Sequence, residues 1–250
     1  MPRFSHGSVS LDYLDQGEGE PIVLVHGFAS NKEANWVAPG WVTTLVKAGR
    51  RVIALDDRGH GQSEKLYDPA DYDTNLMAED VRALADHLGL PRFDVMGYSM
   101  GARISAFLTV RHPDRVRSLI IGGLGIKLVE GVGLREDIAL ALEAPSLADV
   151  TDPTGRIFRA FAEQTKSDLH ALAACLRGSR QILPRDEAQS ISVPTLIAVG
   201  TKDAVSGPAA PLAAIIPGAE VLDIPGRDHM LAVGDKIFKT GALAFLERRP

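Results

Sequence analysis

Phe93-Asp94-Val95-Met96-Gly97-Tyr98-Ser99-Met100-Gly101 decides the fold of this chain: an apolar run of strand character ends in a Gly-x-Ser-x-Gly pentapeptide, and a helix-like segment, 102–111, follows at once. A strand that turns sharply into a helix strains the residue at the bend, and glycines two positions to either side let strand and helix pass closely. Ser99 is therefore expected at the carboxyl end of a sheet and the amino end of a helix. Free backbone N–H groups there can receive a developing oxyanion.

Working outward, short β-branched apolar runs recur with helical patterns between them, the alternation of parallel strands joined by crossover helices. Residues 9–15 alternate and suit a leading antiparallel strand. Residues 21–25, Pro-Ile-Val-Leu-Val, are continuously apolar after the proline, as a central strand covered on both faces should be. Segments 51–55, 93–96, 118–122, 194–199 and 219–224 repeat the theme, so that seven strands are expected. Residues 41–48, 74–88, 102–111 and 236–247 carry apolar side chains at three- and four-residue spacing and are the covering helices. Residues 124–192 break the rhythm with helical patterns at 134–143, 154–165, 168–176 and 184–189, where Pro153 and Pro184 mark starts. The expected organisation is a core of residues 1–123 and 193–250 with a helical cap, 124–192, inserted. Phe158, Phe161, Leu169, Leu172 and Leu176 read as helix packing rather than substrate contact.

The 250 residues, 45% apolar and 24% charged, suit one α/β domain with an insertion. With 27 basic against 32 acidic side chains the net charge is −5, which offers no basic stripe for nucleic acid. The amino terminus lacks the apolar stretch of a signal peptide and no run approaches a bilayer span, so a cytoplasmic protein without membrane association is expected. A single cysteine, Cys175, sits in an alanine- and leucine-rich helical stretch and reads as core packing. No Cys/His cluster has zinc-ligand spacing, and P-loop, strand-borne G-x-G-x-x-G and H-E-x-x-H motifs are absent, so no metal or organic cofactor is expected. Homo-oligomerisation stays open.

A serine nucleophile requires a histidine to take its proton and a carboxylate to orient that histidine. Of seven histidines, only His229, in Pro225-Gly226-Arg227-Asp228-His229-Met230, follows a late strand in a turn-rich loop without a better role elsewhere. Asp203, in Gly200-Thr201-Lys202-Asp203, leaves the preceding strand on the same edge; Asp228 is too near in sequence to reach the ring nitrogen of its own neighbour. Functional loops leave the carboxyl ends of parallel strands, and these do. The backbone amides of Met100 and of Phe28, in His26-Gly27-Phe28, are the expected oxyanion donors. Asn31 and Trp36, with Trp41 beside them, are candidates to border the pocket, although the tryptophans equally suit plain packing.

These residues, together with the Asp56-Asp57-Arg58-Gly59-His60-Gly61-Gln62-Ser63 loop, resemble the α/β-hydrolase family over nearly the whole chain. The resemblance implies a mainly parallel eight-stranded sheet flanked by helices, a small helical cap after the sixth strand, and a Ser99/Asp203/His229 triad in the cleft between. It also implies a structural role for the 56–63 loop, with Asp57, Arg58 and His60 tying core to cap by polar contacts. Relatives with aspartate at the elbow cleave carbon–halogen bonds or epoxides, whereas Ser99 calls for acyl transfer. The expected function is hydrolysis of small to medium carboxylic esters through an acyl-enzyme, with activity falling as pH drops through roughly 6 to 7, where imidazole titrates. Cofactor-free perhydrolase or haloperoxidase, lactonase and carbon–carbon hydrolase chemistry use the same triad. A ligand receptor on the same fold is the alternative without catalysis.

Overall fold

The computed structural model describes residues 2–133 and 136–249. Its eight strands are β1 (Arg3–His6), β2 (Val9–Gln16), β3 (Glu20–Val25), β4 (Arg50–Leu55), β5 (Phe93–Tyr98), β6 (Val116–Gly122), β7 (Thr195–Gly200) and β8 (Glu220–Ile224). They form one sheet in the order β1-β2-β4-β3-β5-β6-β7-β8. β1 and β2 pair antiparallel, as do β2 and β4; every other neighbouring pair is parallel. Seven of these strands match the apolar runs, and the eighth is the short terminal β1.

Continuous apolar runs follow from burial on both faces. In β3, Val23 and Val25 point to the layer holding the helices Thr74–His87 and Met100–Arg111, while Ile22 and Leu24 meet Trp36, Trp41, Phe238 and Phe245 on the other. Each large side chain so removed from water contributes about 1.5–3 kcal/mol. Chain order reverses between β3 and β5: β3 leads outward to β4, and β5 returns to the far side of β3. Val25 pairs with Gly97, so the loops that leave β3 and β5 emerge side by side. This is the switch point at which open α/β sheets form their ligand crevice.

Between β6 and β7 the described residues contain six helical segments and no strand: Lys127–Glu130, Glu136–Glu143, Leu147–Asp149, Pro153–Gln164, Leu169–Gly178 and Arg185–Gln189. Leu134 and Arg135, where the expected 134–143 helix begins, lie outside the described residues. Asp152 and Asp168 cap two of the helices by accepting the Gly155 and Ala171 amides. Ile138, Leu142, Leu172 and Leu176 form a third apolar cluster that reaches Ala29 and Phe28 of the β3 loop. The buried Arg159 guanidinium joins two helices by donating to the carbonyls of Ala141, Leu142 and Ala144.

The 56–63 loop corrects one expectation. Arg58 makes two hydrogen bonds to Asp80 on the core helix and one to the Asp71 carbonyl, the Asp57 amide donates to His26 Nε2, and His60 bonds back to the Arg58 carbonyl. Among the described residues none of the three hydrogen-bonds to the inserted helices, since their partners His26, Asp71, Asp80 and Arg58 all belong to the core. Contacts that do bridge the two include Thr74 to Gln181, Tyr67 to Asp168, Thr165 to the Ala29 carbonyl and, from the core helix, Arg103 to the Gln181 carbonyl and Arg111 to Glu187.

Candidate active site

Ser99 occupies φ 54°, ψ −109°, a strained conformation for a residue with a side chain, at the junction of β5 and the helix Met100–Arg111. Gly101 is required because a Cβ there would fall onto the Val25 carbonyl oxygen; at Gly97 it would meet the Gly101 carbonyl. The bend is held from the sheet side by the Ser99 amide, which donates to the Gly122 carbonyl over 2.8 Å.

His229 opens a one-turn helix, His229–Ala232, whose first amides donate to the Asp228 side chain. Asp228 is thus a cap, and the ring of His229 is turned toward Ser99: Nε2 lies 3.0 Å from Ser99 Oγ and Nδ1 lies 2.8 Å from Asp203 Oδ2. An ionised carboxylate only accepts, so Nδ1 carries the proton and Nε2 is left to accept from the serine hydroxyl. Tyr98, the residue before the serine, donates its hydroxyl to the His229 carbonyl over 2.6 Å.

Asp203 is held on both oxygens. Oδ1 accepts the amides of Val205 and Ser206 over 2.8 and 3.0 Å, and Oδ2 faces Ser206 Oγ at 2.6 Å in addition to His229. Burial acts to raise this carboxyl, but the bonds from His229 and Ser206 outweigh it and hold Asp203 below the usual carboxylate range. Ser206 Oγ also lies 3.2 Å from His229 Nδ1 and 2.6 Å from the Gly123 carbonyl.

A cavity of about 130 Å³ opens at Ser99, walled by Phe28, Asn35, Phe158, Phe161, Met230 and Val233. That is close to the volume that accommodates a benzene-sized group, roughly 150 Å³. A smaller lobe of about 50 Å³ adjoins it past Phe28, Phe158 and His229. Among the described residues, neither the Phe28 amide nor the Met100 amide is hydrogen-bonded within the protein. Gly27, by contrast, donates to Asn35 Oδ1 over 3.0 Å, which leaves the buried Asn35 Nδ2 without a partner.

Two pocket expectations are corrected. Asn31 does not border this cavity: its Oδ1 accepts the Ala34 amide, and it lines a separate surface depression with Lys32 and Gln62. Trp36 is fully buried against Trp41 in the core. The turn Glu33–Val37 closes with an i to i+5 bond from the Ala38 amide to the Glu33 carbonyl, and this wide turn brings Asn35 to the cavity while sending Trp36 inward. Phe158 and Phe161, read from sequence as helix packing, reach the cavity wall as well as the inserted cluster. Asn35, Tyr98 and Ser206 also belong to the site; of these, Ser206 carries a sequence signal, since Asp203-x-x-Ser206 is the spacing of a side-chain-capped turn. Cys175 is buried against Met100, its thiol pushed up by burial to about 12, as core packing requires.

Residues 20–124 match the family model described as the alpha/beta hydrolase fold. The chain is 33% identical to the dihydrolipoyllysine-residue acetyltransferase component of the acetoin cleaving system of Pseudomonas putida, over 85% of this chain, and it spans 59% of that relative's length. It is 29% identical to a non-heme chloroperoxidase of Kitasatospora aureofaciens over 96% of this chain and 97% of the relative. A hydrolase from Pseudomonas aeruginosa superposes with a TM-score of 0.81 at 24% identity, covering 98% of this chain and 97% of the other. Among the described residues no helix is long and apolar enough to cross a membrane.

Proposed function

Since this chain has the α/β-hydrolase fold, we propose that it is a member of that family and a serine hydrolase that cleaves small to medium carboxylic esters through an acyl-enzyme intermediate. The observation that carries this reading is the unbroken hydrogen-bonded line from Ser99 Oγ through His229 to Asp203 at the mouth of a mostly apolar cavity. Ser99 Oγ attacks the acyl carbon as its proton passes to His229 Nε2. The carbonyl oxygen takes up the negative charge against the Phe28 and Met100 amides. Collapse of this tetrahedral species breaks the ester bond, and the leaving alkoxide takes the proton from His229. Water then adds to the acyl carbon, giving its proton to Nε2, and release of the acid returns Oγ to its hydroxyl form. Asp203 keeps the Nδ1–H tautomer throughout. The helical segment 124–192 acts as the cap, with Phe158 and Phe161 limiting the length of the bound group.

The likeness to the chloroperoxidase favours a second reading on the same residues, in which hydrogen peroxide takes the acyl group from Ser99 in place of water and leaves as a peroxy acid.

Hydrolysis of p-nitrophenyl esters from acetate to long acyl chains, compared between wild type and Ser99→Ala, tests both. Turnover that depends on Ser99 and declines with long chains is expected. A folded wild type that turns over no ester and forms no peroxy acid from acetate and peroxide overturns the esterase and peroxy-acid readings and leaves the carbon–carbon hydrolase and the receptor.

A further inference from the structure

The larger cavity is mostly apolar, yet Asn35 stands in its wall, 6% exposed, with its Nδ2 buried and without a hydrogen-bond partner. Which end of the amide is free follows from chemistry. The Gly27 amide can only donate, and it meets Asn35 Oδ1 at 3.0 Å, so a flipped side chain would set donor against donor. An N–H group is therefore what Asn35 has left to offer. Buried donors without acceptors are rare, because each forfeits its bond to water.

The backbone is shaped to bring that group there. The turn Glu33–Val37 closes through the i to i+5 bond from the Ala38 amide, a wide turn of the kind that recurs at functional sites. Gly27 leaves a gap between the asparagine and the nucleophile: a Cβ on it would lie 3.5 Å from Ser99 Cβ and 3.6 Å from Asn35 Oδ1. The amide is thus a near neighbour of the acyl carbon that Ser99 would hold. Met100, whose amide is one of the two oxyanion donors, borders the smaller lobe, whereas Asn35 borders the larger cavity. The free N–H group accordingly serves the chain of the acyl group rather than its carbonyl oxygen.

We propose that Asn35 Nδ2 selects acyl groups bearing an ether or keto oxygen a few bonds from the scissile carbonyl. The proposal rests on Ser99 as the nucleophile and on the acyl chain occupying the larger cavity. Phe158, Phe161, Met230 and Val233 take the apolar part of that chain, and Nδ2 donates to its oxygen. Without such a donor an oxygen in this cavity would be a handicap, because it exchanges a bond to water for apolar contacts. Asn35 reverses the sign of that preference. The bond from Gly27 holds the side-chain amide in place beforehand, so recognition requires little reordering.

The test compares the p-nitrophenyl esters of pentanoate, ethoxyacetate and β-methoxypropanoate, whose acyl chains match in length and differ by an oxygen in place of a methylene. Each kcat/KM is divided by the rate of the same ester with hydroxide, which removes the inductive effect of the oxygen. The wild type is expected to favour one of the two oxygen-bearing esters over pentanoate by about tenfold. Asn35→Leu should bring that ratio to one or below. Because each ratio is taken within one protein, it is unmoved by any general loss from the unbonded Gly27 amide. Where Asn35→Leu fails to fold, Ser99→Ala decides. Titrated with the methyl esters of the same acids, its NMR spectrum should show the Asn35 side-chain amide signals shifting with an oxygen-bearing ester and not with methyl pentanoate, which binds more weakly. That result, with no ester cleaved by the wild type, defeats the hydrolase reading and leaves the Asn35 subsite standing. A wild-type ratio at or below one for both oxygen-bearing esters, or side-chain signals that respond alike to all three methyl esters, overturns the subsite. A ratio unchanged in Asn35→Leu with kcat lowered on every ester overturns it too, and makes Asn35 a third oxyanion donor instead.

Discussion

The hydroxyl of Tyr98 donates to the carbonyl oxygen of His229 over 2.6 Å, so the residue immediately before the proposed nucleophile fixes the backbone of the proposed base. The tyrosine is 4% exposed, and burial, followed by the charges of Asp203 and Asp228, pushes its phenol well above the ordinary value, so it remains a donor at every working pH. Tyr98→Phe removes one oxygen and nothing else. It is expected to lower stability by about 1–2 kcal/mol through the unpartnered carbonyl, and to lower kcat more than it raises KM because the His229 ring loses its fixed position. Urea unfolding and ester kinetics measured together check this; a variant with full kcat would show that the ring is held by Asp203 alone.

Asp203→Asn tests the tautomer directly. The amides of Val205 and Ser206 donate to Oδ1, so the new amide places its oxygen there and its NH₂ group against His229 Nδ1. Facing a donor, the ring moves its proton to Nε2, and Ser99 loses its acceptor. A fall in kcat of roughly 10⁴-fold is expected with an unchanged melting profile. Loss below tenfold would mean that Asp203 does not set the proton on His229.

Gly101→Ala asks whether the elbow is as tight as the geometry implies. In an ordinary helix this change stabilises by about 1 kcal/mol. Here the methyl group would land on the Val25 carbonyl, so either β3 or the helix Met100–Arg111 must move. A loss of about 3 kcal/mol is expected from such overpacking, with activity falling further because Phe28 leaves β3 three residues later. A shift of the urea midpoint toward higher stability would rule out the close approach.

Legibility from sequence followed the strength of local pattern. The strands β3 to β7 are legible because burial on both faces makes most of their positions apolar, β8 only by a short apolar run, since four of its five residues are exposed or half-buried, and Ser99 because its elbow needs glycine at two fixed positions. β1 has only four residues, of which Phe4 alone is buried, so no periodicity marks it. Asn35 was hidden by a wide i to i+5 turn whose register nothing in Asn31-Lys32-Glu33-Ala34 signals. Phe158 and Phe161 declared an apolar face, but a helical period says only that a face is covered. That this face meets a cavity as well as neighbouring helices depends on how residues 124–192 fold back over β3 and β5.

His60 makes the stability of the fold depend on pH. Its ring is fully buried, Nδ1 donates to the Arg58 carbonyl over 2.9 Å, and Nε2 has no partner. Burial, and secondarily His26 at a ring separation of 5.1 Å, lower its pKa to about 3. The unfolded chain protonates this histidine below about 6.5, while the folded protein does so only near 3. Between those values the unfolded state binds the extra proton, so stability falls with falling pH, by up to about 1.4 kcal/mol per pH unit. Asp57 acts in the opposite sense: burial and the charges of Asp80 and Asp56 hold it well above its ordinary value, so the stability it supplies is present at low pH and lost as pH rises through its folded value. His60→Asn keeps a donor for the Arg58 carbonyl and leaves Asp57 in place. Subtracting the variant's unfolding free energy from that of the wild type therefore isolates the histidine. The difference should rise from pH 4.5 to about 6.5 and then level off; parallel curves would show that His60 is not held neutral by the fold.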